Sequence, residues 1–182
     1  MIRKLYIRIL CRLNKAIDIH SRGKYPSNVL SNFWGNTFTY DGVLCKSMEG
    51  FLQALKHRDV EKQRQVCQCK GRKAKNMGTE TWKVNQTVYW MGKATSRHSP
   101  EYRTLINGAY QAMFEQNKSF YDALMLSRGK RLFHSQGKNN PKETILTESE
   151  LCSILTKLRE GKEQLSGCSY ICTREGCPFR KG

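Results

Sequence analysis

Acidic residues are scarce. Only 15 Asp+Glu stand against 32 Lys+Arg among 182 residues, for a formal charge of +17. So large a deficit predicts attraction to polyanions, whether nucleic acid, nucleotides or an acidic surface. A run of about 18 apolar residues is also lacking, which excludes a transmembrane helix. No signal peptide is evident, so a reducing, cytoplasmic setting with free thiols is expected. The eight cysteines contain no C-x2-C pair. Three of them, Cys168, Cys172 and Cys177, cluster as C-x3-C-x4-C in "CSYICTREGCP". That spacing suits zinc poorly and shows no fourth ligand, so no metal is expected and the segment reads as a basic tail. No internal repeat or linker divides the chain.

What is present fits one globular domain. Hydrophobic residues make up 38% and charged residues 26%, proportions of a chain with a real core. Three stretches are expected: a basic amphipathic extension over 1–16, a compact domain over 17–160, and a Cys-containing tail over 161–182. In the extension, Ile2, Leu5, Ile9, Leu13 and Ala16 recur at helical spacing between Arg and Lys. The pattern fits a membrane-surface helix or a transit segment. It also fits a helix that caps the domain, which is the reading adopted, so no membrane partner is expected.

Local signals outline the domain. "IDIHSRG" is a short strand candidate. "TFTY-DG-VLCK" places two alternating segments around Asp41-Gly42, a hairpin signal. Ser47 then caps a helix that buries Met48, Phe51, Leu52 and Leu55. A basic stretch, "KGRKAKNMG", ends near Gly78. Ser99 caps and Pro100 opens a helix with Tyr102, Leu105, Ile106, Ala109 and Met113 as its apolar stripe. Asn117 caps another helix, ending at Gly129. Between Lys130 and Leu146 a strand and a polar loop are expected. Thr147 and Glu150 form a capping box before Leu151, Ile154, Leu155 and Leu158, and Gly161 ends that helix. The fold class is α+β, a single mostly helical domain with a few short strands.

The helix after Ser47 also carries Glu49, Gln53 and Lys56. At 100° per residue, Glu49 and Lys56 lie about 20° apart around the axis and roughly 10 Å apart along it, with Gln53 beside them. They are too distant for a direct bond, yet well spaced to reach two ends of a bound molecule. On spacing alone, the simpler reading is the solvated side of a surface helix.

The whole segment adds more. "LSNF", then "F-x2-DG", then "S-x-E-x3-Q-x2-K" resembles the YbiA-like family, also called NADAR for its link to NAD and ADP-ribose. The matching residues are Ser31, Asn32, Phe33, Phe38, Asp41, Gly42, Ser47, Glu49, Gln53 and Lys56. "AMFEQNKSF" looks like the family's M-x-KF-x-QN region, and "ALMLSRG" like its L-x-x-TG turn. The likeness runs from Ile17 to Arg159. It departs where many members carry D-x2-WG: here "LFHSQGKNNPKETIL" stands, with His134 and Gly137 in that place, so groups carried by that motif do not transfer. "YWMGKATSRHSPEY" looks like an addition to the shorter members. This is the pattern of a divergent branch.

The resemblance implies a helix-rich α+β unit that hydrolyses N-glycosidic bonds without a cofactor. The substrates it implies are phosphorylated riboflavin-pathway intermediates or ADP-ribose attached to a nucleobase. It implies Glu49 as the carboxylate that stabilises an oxocarbenium-like sugar or activates water. It implies Lys56 as an amine nucleophile, which must be neutral part of the time. Asn32 and Gln53 would hydrogen-bond ribose hydroxyls with Ser31 nearby, and Phe33, Trp34 or Trp90 would stack on a base. His134 is the candidate acid for the leaving base, and "KGRKAK" a contact for pyrophosphate or a nucleic-acid backbone. The second reading is a non-enzymatic module that binds nucleotide, ADP-ribose or nucleic acid.

Overall fold

The computed structural model describes residues 2–161, so the three tail cysteines lie outside the described residues. Those residues form helix α1 (Ile2–Arg12), strands β1 (Ala16–Asp18), β2 (Phe38–Tyr40) and β3 (Val43–Cys45), and helices α2 (Met48–Ala54), α3 (Val60–Cys67), α4 (Gly71–Asn76) and α5 (Trp82–Asn85). There follow β4 (Thr87–Trp90), β5 (Lys93–Ser96), α6 (Pro100–Gln116), α7 (Lys118–Leu126), β6 (Arg131–Phe133) and α8 (Glu148–Glu160). The expected α+β class, mostly helical, is the class observed.

The strands pair as three two-stranded ladders. β2 and β3 form the Asp41-Gly42 hairpin, in register Phe38 with Cys45 and Tyr40 with Val43. Both turn residues have positive φ, 47° and 73°, the mirror-image turn for which Asp-Gly is suited. β4 and β5 form a second hairpin, antiparallel, with Trp90 opposite Lys93. It occupies the segment that the sequence marks only as an addition. β1 and β6 pair in parallel, Ala16 with Arg131 and Asp18 with Phe133, tying the two ends of the domain together.

The capping residues act as expected. The hydroxyls of Ser47 and Ser99 accept from Gly50 and Tyr102, and Asn117 accepts from Phe120. Thr147 and Glu150 cap each other reciprocally, and Gly161 closes α8 at φ 62°. α6 runs through the core, burying Tyr102, Ile106, Ala109, Tyr110 and Met113; α8 covers it with Leu151, Ile154, Leu155 and Leu158.

α2 is enclosed on every side: all seven of its residues are buried. Ser47 starts this, because its hydroxyl also donates to the Cys69 carbonyl beyond the end of α3. Gly50 completes it. A Cβ there would stand 2.6 Å from the Cys69 carbonyl oxygen and 3.0 Å from that of Val66. These are backbone atoms that cannot rotate aside. Gly50→Ala should therefore lower unfolding stability by about 1–3 kcal/mol, the scale of overpacking. Urea denaturation checks this; an unchanged midpoint would mean that α2 and α3 are not in register-locked contact.

Candidate functional site

The polar stripe of α2 is not solvated. Glu49, Gln53 and Lys56 are 5%, 1% and 7% exposed. Neighbouring segments cover the stripe, which periodicity within one helix does not reveal. Glu49 lies in the first turn, where the helix dipole favours a carboxylate. Its Oε1 accepts from Gln53 Nε2 at 2.7 Å and faces the half-exposed ammonium of Lys75 at 3.5 Å. Lys56 sits just past the helix, where its backbone N–H donates to the Gln53 carbonyl. Its ammonium lies 5.8 Å from the Trp82 ring centroid and 3.6 Å from Glu80 Oε1.

Glu80 is exposed and also pairs with Lys83, so it is a shared and weak anchor for Lys56. The balance at Lys56 follows. Burial, with the Lys75 charge as second cause, pushes its pKa below the ordinary lysine value against the opposing pull of Glu80 and Glu49. Such a lysine loses its proton more readily than a surface one. Gly78 closes over the pair, since a Cβ there would meet Gln53 Oε1 at 1.8 Å and Lys56 Cδ at 3.4 Å. That Gln53 oxygen is buried without a hydrogen-bond partner, and so is Trp82 Nε1.

The LSNF segment belongs to this site. The Asn32 carbonyl accepts from the Glu49 backbone N–H at 2.8 Å, and the Asn32 side chain accepts from the Tyr110 hydroxyl at 2.6 Å. Burial is the main reason that the Tyr110 phenol is pushed well above its ordinary pKa, so it stays a donor. Ser31 is buried and its hydroxyl accepts from the Phe33 N–H at 3.3 Å, shaping the turn. Phe33 is half-buried and Trp34 more exposed, so both rings remain open to a ligand.

Two expected site residues lie elsewhere. Trp90 packs edge-on against Phe51, with ring centroids 4.9 Å apart, and donates from Nε1 to Asp41 at 2.8 Å. Its ring is consumed by the core and its N–H locks the first hairpin to the second, so it does not stack on a ligand. His134 places Nδ1 2.8 Å from the Ile19 carbonyl, and its backbone N–H donates to Glu148. These bonds tie it to the segment after β1 and to α8, and neither involves α2.

Some residues of the site were not singled out from the sequence. Lys75 lay within a run read as a general phosphate contact, and Tyr110 beside an apolar stripe. Gly78, Glu80 and Trp82 carry no local pattern that points to α2.

A separate cavity of about 570 Å³ lies beside the site, lined by Gly35, Thr37, Leu44, Gln68 and Cys69 with the lysines Lys46, Lys70 and Lys73. α4 stands between the two: Lys73 and Lys75 are about 200° apart around it. The same short helix therefore gives one cation to the buried carboxylate and another to the open basic groove.

The family model for "Bacteriophage protein GP30.3" matches residues 24–160. A 17.1 kDa uncharacterized protein of enterobacteria phage T4, from the Gp30–rIII intergenic region, is 39% identical over 147 residues, which is 79% of this chain and 97% of the relative. The NMR structure of the E. coli protein YbiA superposes with a TM-score of 0.55 at 18% identity, covering 81% of this chain and 84% of that one.

Proposed function

We propose that this chain, which belongs to the bacteriophage protein GP30.3 family and has the YbiA-like fold, is an N-glycoside hydrolase acting on a ribosyl or ADP-ribosyl N-glycosidic bond. The observation that carries the reading is a buried carboxylate in the first turn of α2 and a buried amine of depressed pKa just past its end, with a buried amide in the helix between them. Burying ionisable groups costs stability unless they are well paired, and such perturbed groups cluster at functional sites; here the anchor offered to Lys56, Glu80, is exposed and shared.

Breaking a ribosyl C1′–N bond builds positive charge on the sugar. Glu49 meets that charge, or takes the proton of an attacking water. In the covalent route, the lone pair of neutral Lys56 attacks C1′. The C–N electron pair leaves on the base, which takes a proton from solvent. Water then releases the ribose from Lys56. Asn32 and Gln53 offer amide groups to the sugar hydroxyls, and Phe33 or Trp34 a face to the base. Access to Lys56 requires displacement of the segment around Gly78 that covers it.

The basic groove favours a second reading, a binding module for nucleotide, ADP-ribose or nucleic acid without turnover. A substrate panel separates them: NAD, ADP-ribose, ADP-ribosylated guanosine, ADP-ribosylated DNA or RNA, and ribosylated pyrimidine intermediates, with the released base followed by mass spectrometry. The expected result is base release from at least one. Binding that falls steeply with salt, together with no turnover across the panel, would establish the module instead.

A further inference from the structure

α1 docks on the domain by a narrow face. Ile7 is buried against Ala16 and Phe133, with Leu10 and Cys11 partly covered beside it. Arg3 pairs with Glu148 at one edge. The opposite face is bare. Ile2, Leu5, Tyr6, Ile9 and Leu13 are each between 46% and 86% exposed. At 100° per residue these five fall within an arc of about 100°, centred roughly 150° from Ile7. Lys4, Arg8 and Arg12 form an exposed row along one flank, and the helix carries no acidic residue. α1 precedes the segment shared with the GP30.3 family, which begins at residue 24.

We propose that this face of α1 is a peripheral docking surface for an anionic lipid bilayer. The stripe enters the headgroup boundary, and Lys4, Arg8 and Arg12 reach the lipid phosphates alongside it. The docked face then keeps the domain on the water side. No helix among the described residues is long and apolar enough to cross a membrane, so the contact is with one surface only. The expectation of no membrane partner rested on the helix burying its apolar residues as a cap; the cap buries Ile7 and leaves the stripe outside.

Other occupants fit less well. A second copy would set Lys4, Arg8 and Arg12 against the same three cations with no acid to answer them. The 162–182 tail is itself basic, with four Lys+Arg against two Glu. Five side chains also fall well short of the roughly 20–30 residues a side of a standard protein interface. A bilayer needs no shape complementarity, only an apolar wedge and cations at phosphate level.

The test is co-sedimentation of the full chain with vesicles of phosphatidylcholine alone and of an equal mixture with phosphatidylglycerol. Because a charge of +17 attracts any anionic surface, the deciding variant leaves charge untouched. Leu5→Gln/Ile9→Gln spares Ile7 and the core, and circular dichroism checks its fold. The expected result is capture on the mixed vesicles, weakened about tenfold or more by the double substitution. Equal capture of both proteins would overturn the proposal, since bulk charge then accounts for it. So would absence of capture, or a solution dimer that the double substitution dissolves, which would assign the face to a second copy.

Discussion

Glu49→Gln is expected to fold and to bind its ligand, and to turn it over about 10²–10³-fold more slowly, the scale of losing one preorganised electrostatic group. The structure explains why the fold survives. A glutamine at this position still offers an oxygen to Gln53 Nε2, and the bond from its own N–H to the Asn32 carbonyl is a backbone bond. The Lys75 contact at 3.5 Å is lost, but that lysine is half-exposed and the pair contributes little. What disappears is negative charge at the point where the sugar becomes positive. Single-turnover rates and ligand affinity, measured on one substrate, separate the two effects. A normal rate would reduce Glu49 to a carboxylate that favours the first turn of α2 and accepts from Gln53.

Lys56→Arg is expected to abolish the covalent route. Arginine keeps the cation near Glu80 but does not lose its proton. Turnover should fall about a hundredfold or more, the scale set by a positioned group that takes part in bond making, while part of the binding remains. With the unaltered chain, substrate and borohydride should leave a reduced ribose adduct on Lys56, through the imine of the ring-opened sugar, seen by peptide mass spectrometry. The pH dependence has a definite sign. With the neutral amine as nucleophile, the rate is expected to rise with pH through the Lys56 pKa and to level off above it. Burial places that rise below the ordinary lysine value of 10.5. If Lys56→Arg hydrolyses normally and no adduct forms, Lys56 is a contact for ribose or phosphate, and direct attack by water beside Glu49 is the mechanism.

Legibility divided along the range of the interactions involved. The first hairpin was readable because Asp41-Gly42 supplies both positive φ values within two residues. The second was not, because its turn puts Met91 at φ 46°, a residue that carries no such signal, before Gly92. It is held from outside: Gln63 donates to the Tyr89 carbonyl and accepts from the Met91 N–H. The parallel pairing of β1 with β6 joins residues more than a hundred positions apart, and nothing within either triplet announces it.

The site followed the same rule. The spacing of Glu49, Gln53 and Lys56 is helix arithmetic, and the motif around them resembles that of the YbiA-like family; α2 stops at Ala54, which leaves Lys56 just past its end. Whether these residues were wet depended on Gly50 meeting the Cys69 carbonyl, on Gly78 closing over Gln53, and on α4 bringing Lys75 to the carboxylate. Trp90 and His134 were compatible with a ligand by residue type, and were claimed by Asp41 and Ile19 in the fold.

By itself the sequence determined the caps, the Asp41-Gly42 turn, the apolar stripes of α6 and α8, the excess of positive charge and the spacing of the α2 trio. Each depends on side chains within about one or two helical turns of one another, or on a simple sum. Only the tertiary structure decided that the trio is buried, that Lys56 has a lowered pKa, and that α1 shows its apolar residues to solvent. Burial and the field at a charge are set by every segment that packs against it, and those segments meet only when the chain has folded.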